Sequence, residues 1–126
     1  MSAPGDERLE RWVLPMWQMV RLTVTLRPAP RSVPDLVEAF RYLMVHTRLE
    51  PGCLGCSVWS EPDSTVHYVE EWSTEPNLRR RVRTDSFTSV LALLESVRER
   101  PQVRFDFVFV TRGLDYVEEV RRHGTT

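Results

Sequence analysis

Glu70 and Trp72 stand two positions apart in the stretch Val69-Glu70-Glu71-Trp72-Ser73. Residues two apart in an extended segment share a face. A carboxylate able to take a proton would therefore sit beside a flat ring able to stack on a planar ligand. Tyr68 lies on the same face, and pairing across a hairpin closed by Glu61-Pro62-Asp63-Ser64 adds Ser57. A phenol and a hydroxyl in those places can orient a phenolic oxygen. Arg79, Arg80, Arg81 and Arg83 form the densest charge run. Most of them read as a solvated helix face, with Arg79 or Arg83 expected at the pocket mouth to hold an anion. Each residue also has a structural reading: Trp72 as core at a strand end, Glu70 as a carboxylate paired with an arginine, Tyr68 as strand packing.

Cys53 and Cys56 form a C-x-x-C. A thioredoxin-type pair needs a helix N-terminus to lower the thiol pKa. These two follow Pro51-Gly52 at the entry to a strand, where positions three apart face opposite ways. Free thiols are expected, as small core or pocket-wall residues. His46, His67 and His123 do not supply a zinc set beside them, so no metal is expected. By alternation His67 points away from Glu70.

The elements that must position these residues follow from periodicity. Met16 to Arg27 alternates as a strand, with Val20, Leu22, Val24 and Leu26 on one face, and Pro28 and Pro30 stop it. Ser32-Val33-Pro34-Asp35 opens a helix, with Ser32 as its N-cap. Its stripe of Val33, Leu36, Val37, Phe40, Leu43, Met44 and Thr47 ends near Leu49, before Pro51-Gly52. Two strands, Cys53 to Ser60 and Thr65 to Ser73, form the hairpin. Closing the loop symmetrically pairs Ser60 with Thr65 and puts Gly55, Ser57 and Trp59 on the face of Tyr68, Glu70 and Trp72. Leu54, Cys56, Val58, His67 and Val69 then share the other face. A short helix runs from Asn77 to Arg83. A second runs from Asp85 to Glu99 with Phe87, Val90, Leu91, Leu94 and Val97 inward. Val103 to Thr111 is a fourth strand with Phe105, Phe107 and Phe109 on one face, and Leu114 to Arg122 is an amphipathic C-terminal helix.

The order β-α-β-β-α-β is the ferredoxin-like split βαβ pattern, an α+β fold with an antiparallel sheet and helices on one side. Its strands are apolar on both faces while helices cover one. A homodimer is therefore expected to bury the face with Leu54, Cys56, Val58 and Val69, or the opposite face if the hairpin register is inverted. The 126 residues suit one domain: an arm over 1–15, the folded unit over 16–113 and a helical tail over 114–126. The arm carries one helical turn at Leu9, Trp12 and Val13.

Seventeen basic residues against eighteen acidic ones leave a formal net charge of −1. With no basic excess, nucleic acid is not an expected partner. Every basic residue apart from histidine is arginine, and a chain without lysine excludes Schiff-base and Walker-type chemistry. No apolar stretch is long enough to cross a bilayer. The polar start, Met1 to Glu10, has no apolar signal region, so a cytoplasmic protein is expected.

Glu50-Pro51-Gly52-Cys53-Leu54-Gly55, Val69-Glu70-Glu71-Trp72-Ser73, Leu78 and Thr84-x-x-Phe87 together resemble the antibiotic biosynthesis monooxygenase (ABM) family over about Val20 to Val110. The resemblance implies a dimeric α+β barrel with a pocket between sheet and helices in each subunit. It also implies oxidation of a phenolic or quinol-type substrate by O2 without metal, flavin or other cofactor. Trp72 and Glu70 would be the catalytic pair, with Tyr68, Ser57, Arg79, Arg83 and Phe87 against the substrate. The chain departs from the family at the helix histidine, where Arg81 and Ser86 stand instead, and this argues against haem degradation. The alternative is a non-catalytic small-molecule-binding or dimerisation module on the same fold. A pocket that reaches Trp72 would favour the enzyme; one filled by Phe87, Leu91 and Trp59 would favour the module.

Overall fold

The structure is a computed structural model that describes residues 19–109 and 113–123. The arm, the strand start at Met16–Gln18 and the strand end at Val110–Thr111 lie outside the described residues.

Alternation makes β1 (Met19–Leu26) a strand with Val20, Leu22, Val24 and Leu26 buried on one side. A 3-10 turn over Pro30–Ser32 leads into α1 (Val33–Thr47). Ser32 does not cap α1 with its side chain, as the sequence had suggested; the turn has already carried its backbone into helical dihedrals. The stripe of α1 buries Leu36, Val37, Phe40, Met44 and Thr47. The chain returns as β2 (Cys53–Ser60) and β3 (Val66–Trp72), then α2 (Glu75–Val82), α3 (Asp85–Glu95), β4 (Gln102–Val108) and α4 (Leu114–Arg122). Thr74 and Thr84 cap α2 and α3, their hydroxyl oxygens accepting from the N–H of Asn77 (3.2 Å) and Phe87 (3.1 Å).

The four strands form one antiparallel sheet in the order β2-β3-β1-β4. This is the expected α+β, ferredoxin-like arrangement. α1 and α3 pack together on one face, over a core of Leu22, Val24, Phe40, Tyr68, Phe87 and Val90 among others. The second helix stops at Glu95 rather than Glu99, and Leu91, expected inward, is 43% exposed. Phe105 and Phe107 pair with Leu22 and Val20 and so face the helix side. They nevertheless remain 41% and 44% exposed, because among the described residues no helix packs closely over edge strand β4.

The β2–β3 register differs from the expected one. Ser60 pairs with Val66, not Thr65. Glu61 donates its N–H to the Thr65 carbonyl at 2.9 Å, and Ser64 donates to the Glu61 carbonyl at 2.9 Å. The loop is thus Pro62-Asp63-Ser64, closed by Ser64 at φ 72°. A shift of one residue exchanges the faces of the whole strand. Cys56 and Val58 face the core beside Glu70 and Tyr68, while Ser57 and Trp59 face outward beside Val69 and His67.

A second irregularity follows. The pairing skips from Cys53 opposite Trp72 to Gly55 opposite Glu71, so Leu54 is the extra residue of a bulge. The bulge cancels the alternation, and Cys53 and Cys56 both lie on the helix side, not on opposite faces. Both are unbridged. Cys53 packs with Val20, Trp72 and Leu78, and Cys56 against the main core.

Candidate functional site

Four donors converge on the buried Glu70 carboxylate. Trp72 Nε1 donates to Oε1 at 3.0 Å, and the Tyr68 hydroxyl donates to Oε2. Arg81 adds Nε to Oε1 at 3.2 Å and Nη2 to Oε2 at 2.9 Å. The remaining Arg81 donors reach Glu50 (Nη1 to Oε2, 2.8 Å), Ser86 Oγ (2.9 Å) and Thr47 Oγ1 (3.0 Å). All five N–H groups of the guanidinium are therefore used. The Thr47 hydroxyl in turn donates a hydrogen bond to the Leu43 carbonyl at 3.0 Å.

Burial opposes the Arg81 charge, but its hydrogen bonds and attraction to Glu70, with Glu50 behind, hold its pKa above the usual arginine value. Burial, and then the neighbouring Glu70 charge, push the Tyr68 phenol far above its ordinary pKa. Tyr68 is therefore a fixed proton donor to Glu70. Arg81 also lies over the Phe87 ring, 5.3 Å from its centroid, and Phe40 stacks on Tyr68 at 4.6 Å.

The Glu50-Pro51-Gly52 turn is built to deliver Glu50 to this cluster. Gly52 sits at φ +84°, and a Cβ there would lie 2.4 Å from Asn77 Cγ. Asn77 Nδ2 donates to Ser73 Oγ at 3.0 Å. Arg80 Nη2 donates to the Pro51 carbonyl at 3.0 Å and to Asn77 Oδ1 at 2.6 Å, clamping the turn onto α2.

On the other side of α2, a groove of about 420 Å³ opens between that helix and β4, lined by Leu78, Arg79, Val82, Arg83, Phe105 and Phe107. Arg79 and Arg83, four apart, share one helical face. Arg79 is held to Glu75 Oε2 at 3.0 Å through Nη2. Leu78 joins the groove to the buried cluster of Val20 and Trp72 behind it.

Measured against the expected site, Arg79 and Arg83 line a groove. Glu70, Tyr68 and Trp72 come together, but Trp72 is fully buried and lines no groove. Ser57 belongs to the outer face and leaves the set, for the register reason above. Phe87 is buried under Arg81. Arg81, Glu50, Thr47 and Ser86 were not among the expected site residues. A signal existed for Arg81: it falls three residues after Leu78, on the inward stripe of α2. Arg81 and Ser86, the two positions at which the sequence reading noted a departure, are hydrogen-bonded to each other.

An antiparallel four-stranded sheet with helices on one face defines a ferredoxin-like α+β domain. Residues 19–93 match the antibiotic biosynthesis monooxygenase family, and the chain belongs to it. Among solved structures, a conserved protein from Methanosarcina mazei Go1 is similar over 75% of this chain and 96% of its own, at 21% identity and a TM-score of 0.65. An antibiotic biosynthesis monooxygenase is similar over 69% of this chain and 95% of its own, at 21% identity and a TM-score of 0.59. A protein of Pseudomonas aeruginosa is similar over 77% and 98%, at 22% identity and a TM-score of 0.61. These similarities show the fold. A search of curated proteins gives no match. Among the described residues, no helix is long and apolar enough to cross a membrane.

Proposed function

We propose that the chain is a cofactor-independent monooxygenase that binds a flat, anionic aromatic molecule, of quinol or phenol type, in the groove between α2 and β4. The observation that carries this reading is the groove's lining: two phenylalanine rings on one side and two guanidiniums on the other. The rings offer a stacking surface, and the arginines hold a phenolate or enolate oxygen.

Stabilising that anion lowers the cost of ionising the substrate, and the electron-rich anion reduces O2. Where a ring CH2 becomes a carbonyl, one oxygen atom enters the substrate. The other leaves as water with the two hydrogens, and all four electrons come from the substrate. The balance calls for no external reductant. Arg83 and Arg79 are the substrate-contacting cations in this scheme. Glu70, Tyr68 and Trp72 act from behind, fixing the wall that Leu78 presents to the groove.

A second reading, a binding module without turnover, is favoured by two observations: the groove's described lining contains no carboxylate or imidazole to act as a base, and Trp72 is buried behind the groove and not in its lining. The test is O2 uptake by the purified protein with a panel of quinols and anthrones and no added cofactor. Uptake that is lost in Arg83→Gln supports the enzyme. Binding without uptake supports the module. Absence of binding to any member of the panel refutes both.

We further propose that two copies pair through the outer sheet face. Trp59 there stacks on His67 with ring centroids 5.1 Å apart, half-buried Val69 lies beside them, and Arg21 bridges to Glu71 at 2.8 Å. This is the face opposite the core, and Cys56 and Val58 do not belong to it. A monomer by sedimentation at micromolar concentration would refute the pairing. The unbridged cysteines suit the reducing cytoplasm, where we place the protein.

A further inference from the structure

The C-x-x-C of β2 takes no part in the proposed groove chemistry. β2 and β4 are opposite edges of the sheet, and neither Cys53 nor Cys56 lines the groove. The bulge at Leu54 changes what this pair can do. Cys53 stands opposite Trp72 and Cys56 opposite Glu70, so three steps of β2 are matched to two steps of β3. The two thiols are therefore neighbours on one face, about 6.6 Å apart along the strand. Both are unbridged and half-buried. Each feels the other: burial, and next the charge of Cys53, push the Cys56 thiol up to about 11.

The spacing decides between two uses of such a pair. A disulfide needs its Cβ atoms about 3.5–4.5 Å apart, closer than these positions allow. A metal ion held between two thiolates separates the sulfurs by two bonds of about 2.3 Å each, a gap that two side chains leaning together can close. We infer that Cys53 and Cys56 form a two-coordinate site for a soft monovalent cation of the copper(I) type. Thiolates select such an ion. Zinc asks for four ligands, and among the described residues no three His, Cys, Asp or Glu side chains converge. On binding, each sulfur gains a bond to the ion, two thiol protons leave and no electron changes hands. The complex carries one negative charge, and its surroundings favour that charge at each sulfur. The Gly55 N–H is directed at Cys53 and, against the larger effect of burial, favours its thiolate. Arg48 donates from Nη2 to the Cys56 carbonyl at 3.2 Å, and its charge favours the Cys56 thiolate. Arg81 acts the same way on both thiols. Glu70 opposes it at both and Glu50 at Cys53, but both carboxylates are already held by the Arg81 guanidinium. Because burial keeps the thiols protonated, the ion should bind more tightly as pH rises.

The inference is independent of the groove and of the pairing of two copies. The test titrates the reduced full chain anaerobically with copper(I) against bicinchoninate, a chromophoric copper(I) chelator. One copper retained per chain is expected, with two sulfur neighbours in its X-ray absorption spectrum. Cys53→Ser and Cys56→Ser should each weaken retention about a hundredfold, because one thiolate alone cannot complete the site. Melting of each variant is recorded alongside. Where a serine variant does not fold, the sulfur count and stoichiometry of the unaltered chain decide the matter. Loss of all copper to the chelator would overturn the inference. So would a shell without two sulfurs, or half a copper per chain, which would mean an ion bridging two copies. A folded single variant that holds copper as tightly as the unaltered chain would overturn it as well.

Discussion

The two sides of α2 use one residue type for opposite ends. Arg81 points inward, where it is 1% exposed and every N–H has an acceptor. Arg79 and Arg83, two positions to either side, border an open groove with apolar residues between them. Helical geometry makes the difference, since positions two apart are nearly half a turn around the axis. The comparison teaches that the chemistry of an arginine is decided by what surrounds it. Inside, the charge is matched to Glu70 and Glu50 and unavailable to a ligand. Outside, Arg79 is paired with Glu75, and Arg83 is the cation that the proposed ligand would engage.

Removing the inward charge should have the largest effect. Arg81→Met leaves Glu70 buried without its cation and is expected to cost about 3–5 kcal/mol in urea unfolding. Adding Glu70→Met to the same chain should recover part of that loss. A double variant no better than the single one would mean the pair is not coupled. Trp72→Ala empties a fully buried site and removes one donor to Glu70, and a loss of about 3–5 kcal/mol is expected. If instead stability holds and ligand binding collapses, Trp72 is a pocket wall and the division between the two sides of α2 fails.

Tyr68→Phe is milder, at about 1–3 kcal/mol, because the carboxylate keeps three donors. It also carries a pH signature. Below about pH 10 the phenol is protonated in folded and unfolded chains alike. Above that pH only the unfolded phenol ionises, since burial and Glu70 raise the folded one. Native stability therefore falls as pH rises past 10, and Tyr68→Phe should flatten this fall when unfolding is compared at pH 9 and 11. The smallest stability effect belongs to the groove. Arg83→Gln should leave unfolding unchanged within about 0.5 kcal/mol while weakening an anionic aromatic ligand about tenfold. Equal affinity for the neutral and anionic forms of that ligand would remove Arg83 from the site.

Periodicity carried the sheet, the first helix and the approximate span of the others, because burial of one face writes itself into spacing. The faces of β2 were lost for a local reason. A four-residue loop and a three-residue loop ending in a left-handed residue differ by one position, and Ser64 at φ 72° is an unmarked left-handed residue where glycine or asparagine would have signalled the turn. The bulge at Leu54 was equally silent, since no residue type there demands it. Ser57 left the site through the first irregularity, and both cysteines came to one face through the second. Arg81 was hidden by its neighbours: within a run of arginines, one inward member looks like the rest. Only its spacing from Leu78 separates it.

Arg81 also binds together parts of the chain that are distant in sequence. Its side chain reaches α1 through Thr47, the Pro51 turn through Glu50, β3 through Glu70 and α3 through Ser86. An eight-residue helix such as α2 has little helicity alone in water. Left to its own propensity, it would fray early and release its amide protons to solvent quickly. Pinned by this side chain, α2 should open only when the sheet and both long helices open with it. Its slowest amides, those around Arg81 itself, should then exchange with deuterium at the rate of global unfolding.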